Sequence, residues 1–179
     1  MVVSGPSGVG KSTICRAVIK RLKNTCISVS VTTRPKAETE VNGRDYWFVS
    51  KEQFRQQIDN ALLLEHAEVF GNFYGTPKDK VTEAIESGKT IILEIDVQGA
   101  KQIKAMLPDA VMIFILPPTK KDLSKRLNGR GREDSKTAQK RLSGADAEIA
   151  AAKQYYEHTV VNEDLEQAIN KVIQIIEET

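Results

Sequence analysis

Eight residues near the start, GPSGVGKS from Gly5 to Ser12, constrain this chain more than any other feature. They fit the pattern G-x-x-x-x-G-K-[ST], with Gly5, Gly10, Lys11 and Ser12 at its fixed positions. The spacing has a physical reason. Glycines let the backbone curl until consecutive N–H groups face inward at anionic oxygens. The lysine then reaches the outer phosphates of a nucleotide, and the hydroxyl after it can ligate Mg²⁺. Apolar Met1, Val2 and Val3 precede the loop, while Ile14, Ala17, Val18 and Leu22 follow at helical spacing. Strand, loop, helix is the setting in which a helix N-terminus adds its own dipole to anion binding. The octet therefore reads as a nucleoside triphosphate site. It does not say where the phosphate goes.

The rest of the chain supplies a matching scaffold. Strand-like apolar runs recur as ISVSV (27–31), TIILEIDV (90–97), AVMIFIL (110–116) and TVV (159–161). The two central runs are continuous rather than alternating, as expected of parallel strands buried on both faces. Helical patterns separate them. QGAKQIKAML follows Val97; Ala138, Leu142, Ala145, Ile149, Ala152 and Tyr156 form a stripe at intervals of three and four. Leu165, Ala168, Ile169, Val172, Ile173 and Ile176 make a similar stripe near the end. Alternating strands and helices predict an α/β fold with a parallel sheet. At 179 residues, 40% apolar and 28% charged, the chain is expected to form one ordinary domain.

Residues 30–82 break the rhythm. VNGRDYWFVS (41–50) sets Asn-Gly between extended segments, which predicts a β-hairpin. A short helical pattern with Phe54 and Ile58 on one face follows, then the aromatic, glycine-rich FGNFYGTP. This stretch reads as a small, partly antiparallel insert on the parallel core.

Charge is informative only locally. The net charge of +2 makes no case for nucleic acid as a partner, yet nine basic and three acidic residues lie between Lys120 and Arg141. They include NGRGRED (128–134), which has the composition of a mobile loop, and arginines there suit a lid over phosphates. No run is long enough to span a membrane, and the first residues lack a signal-peptide pattern, so no membrane partner and a cytoplasmic location are expected. Cys15 and Cys26 carry no metal-ligand spacing, and Cys15 is expected to be a packed helix residue. His66 and His158 have no neighbours in sequence that suggest catalysis.

Taken together, GPSGVGKST (5–13), SVSVTTR (28–34), VNGRDYWFVS (41–50), GNFYGT (71–76), ILEIDVQGA (92–100), LNGRGRED (127–134) and KRLSGA (140–145) occur in the order and spacing of the guanylate kinases. The resemblance extends over essentially the whole chain. It implies Mg²⁺-dependent phosphoryl transfer from ATP to GMP or dGMP, on a P-loop-type parallel sheet flanked by helices. The implied layout is one domain, 1–179, with a core of 1–29, 83–118 and 142–179, a GMP-binding insert of 30–82 and a mobile lid of 119–141. A monomer or homodimer is expected.

Site residues follow from the same resemblance. On the ATP side it implies Gly5, Pro6, Ser7, Gly8, Val9, Gly10, Lys11, Ser12 and Thr13, with Arg126 and Arg130 at the phosphates and Asn162 near the adenine. On the GMP side it implies Arg34, Tyr46 and Tyr74 at the phosphate, and Ser30, Glu65, Gly75 and Thr76 at the base. Lys11, Arg130 and Arg141 are the implied catalytic cations, Arg141 also reaching GMP. Ser12 is the implied Mg²⁺ ligand. Asp96 is implied either to contact GMP or to hold the ion's water shell, and for nearby Glu94 a structural hydrogen bond is an equal alternative. Guanine chemistry agrees with the choice of Glu65: a carboxylate can accept both N1–H and the exocyclic amine, a pair adenine lacks. Without the resemblance, Glu65 reads only as an acidic residue in a helix or turn.

One departure stands out. Family members carry a second arginine three residues after the first, and here Ala37 takes its place, with Lys36 beside it. A lysine offers a point charge without a fork, so weaker GMP binding is expected. Three rivals remain open on sequence: a P-loop kinase with a different acceptor, a non-catalytic guanylate-kinase-like binding module, and a nucleotide-controlled switch, for which no residue speaks positively.

Overall fold

In a computed structural model, residues 1–128, 144–146, 148–150, 152 and 154–179 are described. The core is a five-stranded parallel sheet of β1 (Val2–Ser4), β2 (Thr25–Ile27), β7 (Thr90–Glu94), β8 (Met112–Leu116) and β9 (His158–Val161), in the order β2-β7-β1-β8-β9. Side-chain alternation explains why its strands read as unbroken apolar runs. Val3, Ile92, Ile113 and Ile115 point to one face, beside α1 (Lys11–Arg21) and the C-terminal α6 (Leu165–Glu177). Val2, Ile91, Leu93, Met112 and Phe114 point to the other, beside α3 (Lys78–Glu86) and α4 (Val97–Met106). Both faces are covered, so both sets must be apolar. Each such side chain contributes about 1.5–3 kcal/mol by leaving water.

The helical stripes hold where they are described. Ala145, Ala152, Tyr156, Ala168, Ile169 and Val172 are buried, Ile149, Ile173 and Ile176 are partly buried, and Leu165 at the start of α6 is exposed; Ile175, outside the stripe, is buried as well. Ala138 and Leu142 lie outside the described residues. Cys15 is fully buried on α1. No described helix is long and apolar enough to cross a membrane.

A second sheet is mixed, in the order β4-β3-β6-β5, built from β3 (Val31–Thr32), β4 (Trp47–Phe48), β5 (Leu63–Val69) and β6 (Asn72–Pro77). Its antiparallel pairs are β5 with β6 and β3 with β6. α2 (Lys51–Asp59) leads into it, started by a capping box between Ser50 and Gln53.

Three local expectations change. ISVSV is not one strand: it leaves the first sheet where the Ser28 amide donates to Ile92 O at 2.9 Å, and joins the second where Ser30 O accepts from Trp47 N at 2.9 Å. VNGRDYWFVS is not a hairpin. Gly43 does turn the chain, with φ near +79°, but Trp47 and Phe48 then pair parallel with Val31 and Thr32. The turn is held from within instead, by the Val41 amide donating to Asp45 Oδ2 at 2.9 Å and Phe48 N donating to Asn42 Oδ1 at 2.9 Å. Hydrogen bonds to the open edge of β3 outweigh the local hairpin preference. Glu65, finally, stands on β5 rather than on a helix or turn.

Candidate active site

The phosphate loop follows β1 directly and opens α1. Gly5, Gly8 and Gly10 have φ of 148°, 84° and 106°, a region that L side chains rarely adopt. Space requires two of these glycines as well. A Cβ on Gly5 would strike the Ile115 carbonyl, and one on Gly10 would lie 2.5 Å from Asn162 Nδ2. Lys11 Nζ donates to Gly5 O at 2.5 Å and Pro6 O at 3.1 Å, so its ammonium is folded over the loop itself. Ser7 and Gly8 form the loop's turn, and Thr13 is exposed on the first turn of α1.

Two of the residues expected to meet ATP support the loop from behind. Asn162, buried just past β9, donates from Nδ2 to Val9 O at 2.8 Å. Arg126, on α5 (Lys120–Asn128), donates to Val9 O at 3.3 Å and to Asn162 O at 2.9 Å. Arg130 and Arg141 lie outside the described residues.

Ser12 Oγ donates to Glu94 Oε1 at 2.6 Å, tying the loop to the C-terminal end of β7. Two residues on, Asp96 caps α4, its Oδ1 accepting the Gly99 amide at 2.9 Å. Loop and cap thus stand on adjacent parallel strands at their carboxyl ends, where ligands bind in open α/β sheets.

The second sheet brings the remaining polar residues to this edge. Glu65 is only 4% exposed and pairs across the strands with Thr76, whose Oγ1 donates to Glu65 Oε1 at 2.6 Å. Burial pushes the Glu65 carboxyl up to about 7, opposed by the Thr76 bond and assisted by the nearby Asp96 charge. A buried carboxyl whose ionisation is opposed is suited to a ligand that brings N–H donors. Gly75 lies beside it on β6, so close to Leu63 that a Cβ would come within 2.8 Å of Cδ1. Ser30 is half-buried at the entry to β3.

Arg34, Tyr46 and Tyr74 converge. The Tyr46 and Tyr74 rings meet edge to face with centroids 6.0 Å apart, and the Arg34 guanidinium lies 5.3 Å from the Tyr46 centroid. Burial, then the Glu94 charge, raises the Tyr46 hydroxyl to about 12, so it is a proton donor at neutral pH. Arg34 also carries a partner that its spacing gave no reason to expect. Glu40 takes its fork in two bonds and accepts the Ala37 amide at 2.8 Å. Lys36 Nζ donates to Glu40 O at 3.1 Å.

Two oxygen donors, Ser12 and Glu94, meet at the loop, and among the described residues no cluster of three or more His, Cys, Asp or Glu could hold a metal alone. So sparse a set fits an ion such as Mg²⁺, which arrives with phosphates, keeps several waters and needs one or two protein ligands.

Comparison with known proteins agrees with this geometry. The family model described as guanylate kinase matches residues 1–179. Curated guanylate kinases of Clostridium acetobutylicum and Synechocystis are each 45% identical, over 98% of this chain and 83% of the first relative, and over 99% of this chain and 93% of the second. That of Rubrobacter xylanophilus is 46% identical over 98% of this chain and 92% of its own. The crystal structure of guanylate kinase from Anaplasma phagocytophilum superposes with a TM-score of 0.83 at 36% identity, covering 99% of this chain and 83% of that one. With the loop and the sheet order in place, the chain belongs to the guanylate kinase family.

Proposed function

We propose that the loop at 5–13 holds ATP and that the second sheet presents GMP or dGMP to it, with the roles divided among the residues described above. The enzyme is a nucleoside monophosphate kinase, and the family reaction converts ATP and GMP to ADP and GDP. The assignment divides the chain into a core (1–29, 83–118, 142–179), an insert (30–82) and a lid (119–141).

Glu65 accepts N1–H and the exocyclic amine of guanine, while Thr76 and Ser30 complete the base site. The observation that carries this reading is the buried Glu65 carboxylate, held by Thr76 across the strands and raised to about 7 by burial. A site built to pair those donors rejects bases that lack them by large factors. Arg34, Tyr46 and Tyr74 take the acceptor phosphate.

Transfer itself asks little covalent work of the protein. An oxygen of the acceptor phosphate forms the new bond to the terminal phosphorus of ATP as the bond to the bridging oxygen of ADP breaks. That oxygen is already ionised, so no general base is required. Lys11 leaves the loop carbonyls for the phosphates and stabilises the charge that develops there. Ser12 would hold Mg²⁺, with Asp96 acting through water, and the ion would supply charge neutralisation at the phosphates; Glu94 positions the Ser12 hydroxyl. Arg130 and Arg141 keep the phosphate-stabilising role that the resemblance gives them. The reaction takes place in the cytoplasm.

The test is ADP formation from Mg-ATP with GMP, dGMP, AMP, UMP or TMP, beside Lys11→Ala. Turnover restricted to GMP and dGMP, and abolished in the variant, is expected. A folded enzyme that turns over another acceptor in preference to GMP contradicts the reading.

A further inference from the structure

Gly99 is a glycine that its backbone does not require. It sits inside the first turns of α4 with no positive φ, where alanine would be the better helix former by about 1 kcal/mol. What it faces explains it. A Cβ on Gly99 would overlap Oε2 of Glu65 and lie 2.9 Å from its Cδ, with Asp96 Oδ1 at 3.5 Å. The carboxylate thus rests in the space that any side chain at 99 would fill.

The surrounding seam leaves little freedom to adjust. β5 is the edge strand of its sheet, and α4 covers it with two glutamines one turn apart. Gln102 donates from Nε2 to His66 O at 2.7 Å and accepts the His66 amide at 3.3 Å; Gln98 donates to Glu68 O at 3.3 Å. Gly99 lies between them on the helix, at the level of Glu65. From below, Thr76 fixes the other carboxylate oxygen. A methyl group at 99 can be relieved only by moving the carboxylate or by opening this seam.

We propose that Gly99 is a positioning residue for base selection: its missing side chain lets the Glu65 carboxylate stand against α4 in the pose that reads guanine. This rests on the reading of Glu65 as the guanine acceptor.

The experiment compares KM and kcat for GMP and for IMP, which keeps N1–H but lacks the exocyclic amine, in Gly99→Ala, Glu65→Gln and the double variant, with thermal midpoints alongside. Gly99→Ala is expected to raise the KM for GMP about tenfold or more, the scale of a lost charge-assisted hydrogen bond. It should raise the KM for IMP by a smaller factor, because IMP offers only one of the two donors, and leave kcat within about twofold. In the Glu65→Gln background the same change should add less than about twofold, because the group it acts through is gone. If Glu65→Gln still prefers GMP to IMP as the parent does, the guanine reading falls and the proposal with it. If Glu65→Gln loses the preference while Gly99→Ala keeps it, or if the two effects simply multiply, the proposal alone is overturned. Should Gly99→Ala not fold, Gln102→Ala loosens the same seam without adding a methyl group. Its GMP-to-IMP preference should narrow about threefold, and an unchanged preference overturns the proposal.

Discussion

Arg34 and Glu40 form a two-pronged ion pair, Nη2 to Oε1 at 2.7 Å and Nη1 to Oε2 at 3.0 Å. The fork that suits a phosphate is held end-on by a carboxylate of the same chain. The Ala37 amide adds a third donor to that carboxylate, at the position where relatives are expected to carry an arginine. Glu40 receives what a bound phosphate would, and the Arg34 fork holds its carboxyl below the usual range.

The acceptor phosphate therefore competes with Glu40 for Arg34. Glu40→Gln should lower the KM for GMP about fivefold, equivalent to ~1 kcal/mol for a partly exposed pair. Arg34→Ala should raise it at least about tenfold. Initial rates at varied GMP measure both. A KM that rises in Glu40→Gln would mean that the carboxylate aims the arginine rather than occupying it.

Protonation of Glu65 gives a pH signature with a definite sign. Its carboxyl is raised from an ordinary 4.5 to about 7 in the folded protein, so between those values the native state holds more protons than the unfolded one. The contribution of this group to stability is present at low pH and is lost as pH rises to about 7. Guanine needs the ionised form, so GMP binding runs the other way and weakens as pH falls below about 7. Thermal midpoints and KM for GMP from pH 5 to 8, wild type against Glu65→Gln, check both slopes; the variant should lose the stability slope and keep only the part of the KM slope that comes from the GMP phosphate.

Asn162 offers a test on the ATP side. Its amide nitrogen is buried and donates to Val9 O, leaving only the longer Arg126 bond at 3.3 Å if it is removed. Asn162→Ala should cost about 1–2 kcal/mol in stability and raise the KM for ATP more than that for GMP. Denaturant titration and two-substrate kinetics measure the two effects. Equal changes in both KM values would separate the side chain from the loop.

The sheet and the phosphate loop were legible in the sequence because each depends on short-range rules. A strand covered on both faces reads as an apolar run, and a backbone anion nest needs glycines at fixed spacing. The second sheet was less legible for a physical reason. β3 and β4 have two residues each, too few to show a period, and the Asn42-Gly43 signal reports only local turn preference. On β5, the run Leu62-Leu63-Leu64 hides the alternation that puts Glu65 and Ala67 inward and His66 and Glu68 outward. Glu40 could not be found by spacing, since its partner is set by how a loop closes. Gly99 was not legible either, since a glycine inside a helical pattern is tolerated without marking what it faces.

The most direct test of the account is the number of protons released when guanosine binds at pH 7, measured by calorimetry in two buffers of different ionisation enthalpy. Guanosine has no phosphate to titrate, so the count isolates the base site. With the Glu65 carboxyl near 7, about half a proton should leave per guanosine bound, and none in Glu65→Gln. No release from the wild-type enzyme, or the same release from the variant, would contradict an ionised Glu65 as the group that reads guanine.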